Sequence, residues 1–174
     1  MKTYVFEKRT EMPADRATAF AWHDRPGAFE RLTPPFEPVT LVEQTGGIRD
    51  GAKVVIRIKN GPIALHWHAR HEGYDPPDRF VDVSEKGPFA HWHHEHRFEE
   101  SADGFVMHDH VTYAPRLGPL GRLGLPLIRK KLDRMFDYRH ATLEADLADH
   151  ARFADDGTKT FVVTGASGLV GTQL

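Results

Sequence analysis

Between residues 118 and 152 the apolar positions follow a helical rhythm. Ile128, Leu132, Met135, Phe136, Leu143 and Leu147 recur at spacings of three, four and seven, while Lys130, Asp133, Arg134, Asp137 and Glu144 fall opposite them. Gly118, Pro119, Gly121 and Gly124 punctuate a loop before this stretch, and Pro126 suits the first turn of a helix. No Pro or Gly follows until Gly157. The pattern predicts a helix of about 25 residues, close to 40 Å long at ~1.5 Å per residue. Its apolar stripe needs a broad surface to cover it.

Upstream the period changes to two. Tyr4–Arg9 alternates weakly and reads as a first strand. Pro13-Ala14-Asp15 starts a helix running to about His23, with Ala17, Phe20 and Ala21 on one side. Pro26-Gly27 breaks it, and Ala28–Leu32 forms a second short helix that Thr33-Pro34-Pro35 ends. Six strand-like runs follow: Val39–Gln44, Lys53–Lys59, Ile63–Glu72, Arg79–Ser84, Phe89–Glu99 and Phe105–Tyr113. Turn signals such as Asp50-Gly51, Asn60-Gly61 and Asp103-Gly104 separate them, as in an antiparallel meander. Six consecutive strands argue against βαβ units, so the fold class is α+β.

Alternation also assigns faces. Trp92, His94, His96 and Phe98 point inward, with His91, His93, Glu95 and Arg97 outward. Phe105, Met107, Asp109, Val111 and Tyr113 point inward, with His108, His110 and Thr112 outward. Ile63, Leu65 and Trp67 face in against His66, His68 and Arg70, and Val54, Ile56 and Ile58 face in against Arg57 and Lys59. One polar and one largely apolar face are expected of an antiparallel sheet covered on a single side.

Composition narrows the function classes. The 174 residues suit one domain with an appendage, and 40% hydrophobic with 28% charged content is that of a globular protein. A net charge of −2 leaves no electrostatic footprint for nucleic acid. No apolar run is long enough to span a bilayer, no basic helix marks a membrane surface, and Met1–Glu7 lacks a signal-peptide core. A cytoplasmic location is the expectation. Zero cysteines exclude disulfides, thiolate metal ligands and a cysteine nucleophile.

Twelve histidines remain, nine of them crowded between His66 and His110. Those on the outer face can chelate as i, i+2 pairs, but no motif with metal-ligand spacing accompanies them. A solvated polar face is the simpler reading, and no metal is assigned. His94 and His96 differ, because parity places them inside with Trp92, Asp109 and Tyr113. A buried imidazole needs a partner, and Asp109 on the adjacent strand is the candidate. Such a cluster serves as a hydrogen-bonded core network, as the polar patch that orients a ligand, or as an acid and base. Candidate walls for a ligand cavity are Trp67, Trp92, Phe98, Met107, Val111 and Tyr113 from the sheet, with Leu132, Phe136 and Leu143 from the helix. No nucleophile elbow with a Ser-His-Asp triad is present.

The order strand, two short helices, six strands, long helix resembles the helix-grip fold of the START/polyketide-cyclase (SRPBCC) superfamily. In that fold about seven curved strands wrap a long C-terminal helix. The segments 25–35 (Arg-Pro-Gly-Ala-Phe-Glu-Arg-Leu-Thr-Pro-Pro), 87–98, 109–115 and 136–140 resemble the branch found N-terminal to NAD(P)-dependent epimerase/dehydratase-like domains. The resemblance covers most of residues 1–152. It implies a cavity for a small hydrophobic or amphipathic molecule and no shared catalytic set, since the superfamily includes enzymes and simple binders.

The reading therefore divides the chain into a ligand-binding domain (1–153), a linker (154–158) and a glycine-rich end (159–174). There Phe161–Val163 forms a buried-type strand, and Gly165, Gly168 and Gly171 follow as a G-x-x-G-x-x-G series. These glycines supply the tight turn, the close approach to a pyrophosphate and the helix–strand contact of a dinucleotide site. The series resembles the opening of an extended short-chain dehydrogenase/reductase domain. The chain stops at Leu174, before an acidic residue for the ribose or a catalytic Tyr/Lys pair. NAD(P) and a C-terminal Rossmann domain are thus expected in an intact parent, and no cofactor in this chain alone. Three functions stay open: a ligand-binding module, a cyclase- or hydrolase-like enzyme using His94, His96 and Asp109, and a structural domain with a filled core.

Overall fold

A computed structural model describes residues 1–116 and 121–154, with single positions at 157, 160, 162 and 164. The expected loop residues Gly118 and Pro119, the strand at 161–163 apart from Val162, and Gly165, Gly168 and Gly171 lie outside the described residues.

Strand β1 (Tyr4–Met12) leads into helix α1 (Arg16–Asp24) and the short α2 (Ala28–Arg31). Strands β2 (Val39–Gln44), β3 (Lys53–Asn60), β4 (Ile63–Asp75), β5 (Arg79–Lys86), β6 (Phe89–Ser101) and β7 (Gly104–Pro115) follow. A 3-10 turn (Arg122–Gly124) then opens helix α3 (Leu125–Arg152), 28 residues long with Pro126 in its first turn. The seven strands form one antiparallel sheet in the order β1-β7-β6-β5-β4-β3-β2. The two short helices carry the chain from β1 at one edge to β2 at the other, and the meander returns strand by strand. Register shifts at Leu41/Glu43, His68/Ala69, Glu72/Asp75 and Phe89/His91 curve the sheet.

Asp15 caps α1 by accepting from the Thr18 backbone N–H at 2.7 Å and the Thr18 hydroxyl at 2.9 Å. The buried face of α1 is Ala19, Phe20, Trp22 and His23. Sequence reasoning placed Ala17 and Ala21 beside Phe20, but both are exposed. The helix rotates to bury its large rings, because an aromatic side chain removes far more apolar area from water than an alanine methyl. Asp146 on α3 holds this region, accepting from Arg31 at 2.7 Å and Arg25 at 3.1 Å.

Apolar packing between sheet and α3 falls into two clusters. One, beneath α1, gathers Met12, Phe20, Phe80, Phe98, Phe105 and Met107 with Leu143 and Leu147 of α3. The other gathers Phe6, Trp92, Val111 and Tyr113 with Leu132 and Phe136. The helix does not cover the whole inner face. Ile56 and Ile58 are half-buried, while Leu65 is 40% and Ile63 68% exposed on the same side as Trp67. Seven strands ~4.8 Å apart span almost 30 Å, and one helix is only about 10–12 Å wide. Helix α3 packs against the β1–β7–β6 side, and inward apolar residues of β3 and β4 stay half-buried or exposed among the described residues.

Candidate functional site

A polar layer separates the two apolar clusters. Along β6 the inward residues run Trp92, His94, His96, Phe98, and along β7 they run Met107, Asp109, Val111. On α3, His140 sits one turn beyond Phe136 and three residues before Leu143. The alternation that buries one cluster at each end therefore strands His94, His96, Asp109 and His140 between them. Each is at most 5% exposed.

Two carboxylates organise these rings. Asp109 Oδ1 lies 2.8 Å from His94 Nε2 and 2.8 Å from His96 Nδ1, and its Oδ2 lies 2.7 Å from His140 Nε2. Asp82, on β5, places Oδ2 3.1 Å from His96 Nε2 and 3.5 Å from His94 Nδ1, and Oδ1 2.7 Å from His71 Nε2 of β4. His140 Nδ1 continues to the Thr10 hydroxyl at 2.7 Å. The His94 and His96 rings lie 3.8 Å apart, and Phe80 stacks on His96 at 4.1 Å.

Burial alone would raise both carboxyls, but the histidines around them prevail. His71, with His94 and His96, holds Asp82 well below the usual carboxylate range; His96, His140 and His94 do the same for Asp109. Burial alone would lower His94, yet Asp109 and Asp82 outweigh it and raise its imidazole. Burial lowers Arg139, offset in part by those same two carboxylates. Two carboxylates held low thus face the raised imidazole of His94, with the half-buried Arg139 guanidinium nearby. Beside them His23 is pushed down to about 3 by burial and by the neighbouring His96. Removing one member of such a buried ionic set costs roughly 3–5 kcal/mol, because its partner is left uncompensated.

The predicted lining residues all face inward but do not line one space. Trp67 is half-buried and meets Trp92 edge-to-face at 5.0 Å; Trp92, Val111, Tyr113, Leu132 and Phe136 share one cluster. Phe98 and Met107 lie in the other, beyond the polar layer. A half-exposed strip on the inner face, Ile56, Ile58, Leu65, Trp67, Ala69 and Ser84, runs to Asp82, whose side chain keeps 23% of its surface accessible. Trp67 donates its indole N–H to Ser84 Oγ at 2.9 Å. The indole rests on Gly87, where an added Cβ would fall 2.6 Å from the Trp67 ring. Two hollows, of about 540 and 570 Å3, lie on the outside around α1 and the β6–β7 turn.

His71, Asp82, His140 and His23 were absent from the sequence-derived set. Signals for them existed: His71 shares parity with Trp67, His140 stands four residues after Phe136, and His23 three after Phe20. On the outer face the reading of a uniformly solvated surface needs one correction. His108 is only 4% exposed, because Glu99 approaches its Nδ1 at 2.8 Å, Glu7 its Nε2 at 3.3 Å, and Arg9 joins them. Glu95 is likewise buried between Arg79 and Arg97. Long paired side chains from neighbouring strands fold over that face.

A family model described as a domain of unknown function, DUF8410, matches residues 65–147, the span that carries Asp82, His94, His96, Asp109 and His140. No curated protein matches the sequence. Among solved structures, a nucleoside-diphosphate sugar epimerase from Corynebacterium glutamicum is 32% identical over 96% of this chain, with a TM-score of 0.72. This chain spans 35% of that protein's length. Norcoclaurine synthase from Thalictrum flavum, solved with dopamine and hydroxybenzaldehyde, is 13% identical over 86% of this chain and 88% of its own, with a TM-score of 0.67. A START superfamily protein from Mycobacterium smegmatis is 10% identical, covering 83% of this chain and 97% of its own, with a TM-score of 0.60. The α+β helix-grip fold expected from the order of elements is the fold observed, and the structural neighbours include START/SRPBCC-type proteins. No helix among the described residues is long and apolar enough to cross a membrane.

Proposed function

We propose that this helix-grip chain binds a small hydrophobic or amphipathic molecule in the cleft between the inner face of β3–β5 and α3. In a longer protein it would do so beside an NAD(P)-dependent epimerase-like domain. The observation that carries the reading is the strip of uncovered apolar side chains leading to the His/Asp layer. Ile56, Ile58, Leu65 and Trp67 would receive the apolar body of the molecule, and Asp82 with the layer behind it would receive its polar end. Ten methylenes buried there would contribute roughly 8 kcal/mol before the cost of association. Support for the parent architecture comes from the 32% identity to a longer epimerase and from the Gly165, Gly168 and Gly171 series.

The test is a thermal-shift screen of fatty acids, isoprenoids and aromatic polyketides, followed by Trp fluorescence titration. A ligand at a hundredfold excess over its Kd should stabilise the fold by about 2.7 kcal/mol. Leu65→Arg changes a side chain that is already 40% exposed, so it should fold normally and lose that stabilisation. A screen without any stabiliser, or binding that survives Leu65→Arg, would overturn the proposal. Cyclase- or hydrolase-like chemistry in the same cleft is the second reading, favoured by the 2.8 Å His94–Asp109 contact beside accessible Asp82. It requires turnover of a bound compound that Asp109→Asn abolishes.

A further inference from the structure

We infer that the interior His/Asp layer is a site for one divalent first-row transition metal ion, with Asp82, His94 and His96 as its protein ligands. The inference goes beyond ligand binding in the cleft and does not depend on it. One oxygen of Asp82 faces an imidazole nitrogen of each histidine, at 3.1 Å for His96 Nε2 and 3.5 Å for His94 Nδ1. The three ligand atoms all lie within 4.8 Å of one another. Tetrahedral ligands at ~2.0–2.1 Å from zinc stand about 3.3 Å apart, so the two Asp82–histidine spacings already approximate edges of a coordination sphere.

The surroundings are those a metal ligand set requires. The nitrogens of His94 and His96 that face away from Asp82 both approach Asp109 Oδ1 at 2.8 Å. For His94, which is hydrogen-bonded to that oxygen, this is the carboxylate–histidine arrangement that fixes the tautomer and raises the basicity of a ligating imidazole. His71 engages the other oxygen of Asp82 at 2.7 Å, leaving Oδ2 for a cation, and His140 and Thr10 extend the support behind Asp109.

Charge and softness select the ion. A dication matches the carboxylates of Asp82 and Asp109, and two imidazoles with one carboxylate favour Zn2+ or Co2+ over Mg2+ and Ca2+. Binding requires His94 Nδ1 and His96 Nε2 to give up any proton, while His94 Nε2 and His96 Nδ1 keep theirs toward Asp109. Asp82 is the member of the layer open to the cleft, so the ion enters there and keeps its remaining position on that side.

The chain, stripped with EDTA, is titrated calorimetrically with ZnCl2 and examined by visible absorption with CoCl2. The expected result is one Zn2+ per chain and intense tetrahedral Co2+ bands. Asp82→Asn should weaken Zn2+ binding by roughly a hundredfold or more. His66→Ala/His68→Ala, on the outer face, should leave it unchanged. Absence of stoichiometric binding, binding that survives Asp82→Asn, or binding lost in the outer-face variant would each overturn the inference. Imidazole 15N NMR of the unsubstituted protein is independent of how any variant folds. It should show Zn2+ on Nδ1 of His94 and on Nε2 of His96, and coordination elsewhere would overturn the assignment.

Discussion

Mild acid should destabilise this protein through His23. Its imidazole is buried among Trp22, Phe80 and Phe98, and its Nδ1–H donates to the Ala19 carbonyl at 2.8 Å. Burial, with His96 nearby, pushes the folded-state value down to about 3. In the unfolded chain the same group titrates near 6.5. Between those values the unfolded state holds a proton that the folded state refuses, so stability falls as the pH drops below about 6.5. From pH 7 to pH 5 the loss is about 2 kcal/mol. For a chain of this size that is a fall of about 4–8 °C in melting temperature. Asp82 and Asp109 act below this window, and His94 acts above about 6.5 in the opposite sense. His94 is raised, so its contribution is complete below about 6.5 and is lost only as the pH rises through its folded value. Asp82 and Asp109 are lowered, so theirs is present above ~3.9 and is lost only in stronger acid. His23→Gln keeps a donor for Ala19 and removes the titration. Urea unfolding of both proteins from pH 5 to 7.5, at fixed ionic strength, isolates the effect. The stability difference between them should change by about 2 kcal/mol from pH 7 to 5, and a difference independent of pH would refute the reasoning.

Two substitutions probe the cleft and its backing. Phe136 is fully buried between Phe6 and His94, at 5.0 and 5.2 Å, so Phe136→Ala should cost roughly 3–5 kcal/mol in chemical denaturation. Trp67→Ala, at a half-buried wall, should cost clearly less while abolishing ligand stabilisation. Gly87→Ala forces the Trp67 indole off the Gly87 backbone. It should shift Trp emission and weaken ligand binding, with little change in far-UV dichroism; unchanged emission would show that the indole is not held there.

The sequence by itself determined which residues could be helix, strand and turn, and which side of β3, β4, β6 and β7 faced inward. A period of two along Phe89–Glu99 and Phe105–Tyr113 was enough to send His94, His96 and Asp109 to the interior, and a period near 3.6 was enough to mark α3. Tertiary structure decided what those side chains meet. Asp82, His71, His140 and Thr10 reach the same layer from β5, β4, α3 and β1, and the His71↔Asp82 pairing depends on the register between strands, which periodicity along one strand does not set. His108 was placed on the correct face, but its burial depends on Glu7, Arg9 and Glu99 from two other strands. The open half of the inner face follows from where one helix lies across a sheet too wide for it. Periodicity is a local property, set by backbone geometry over a few residues. Neighbourhood and coverage depend on contacts between residues far apart in the chain, and only the folded packing specifies those.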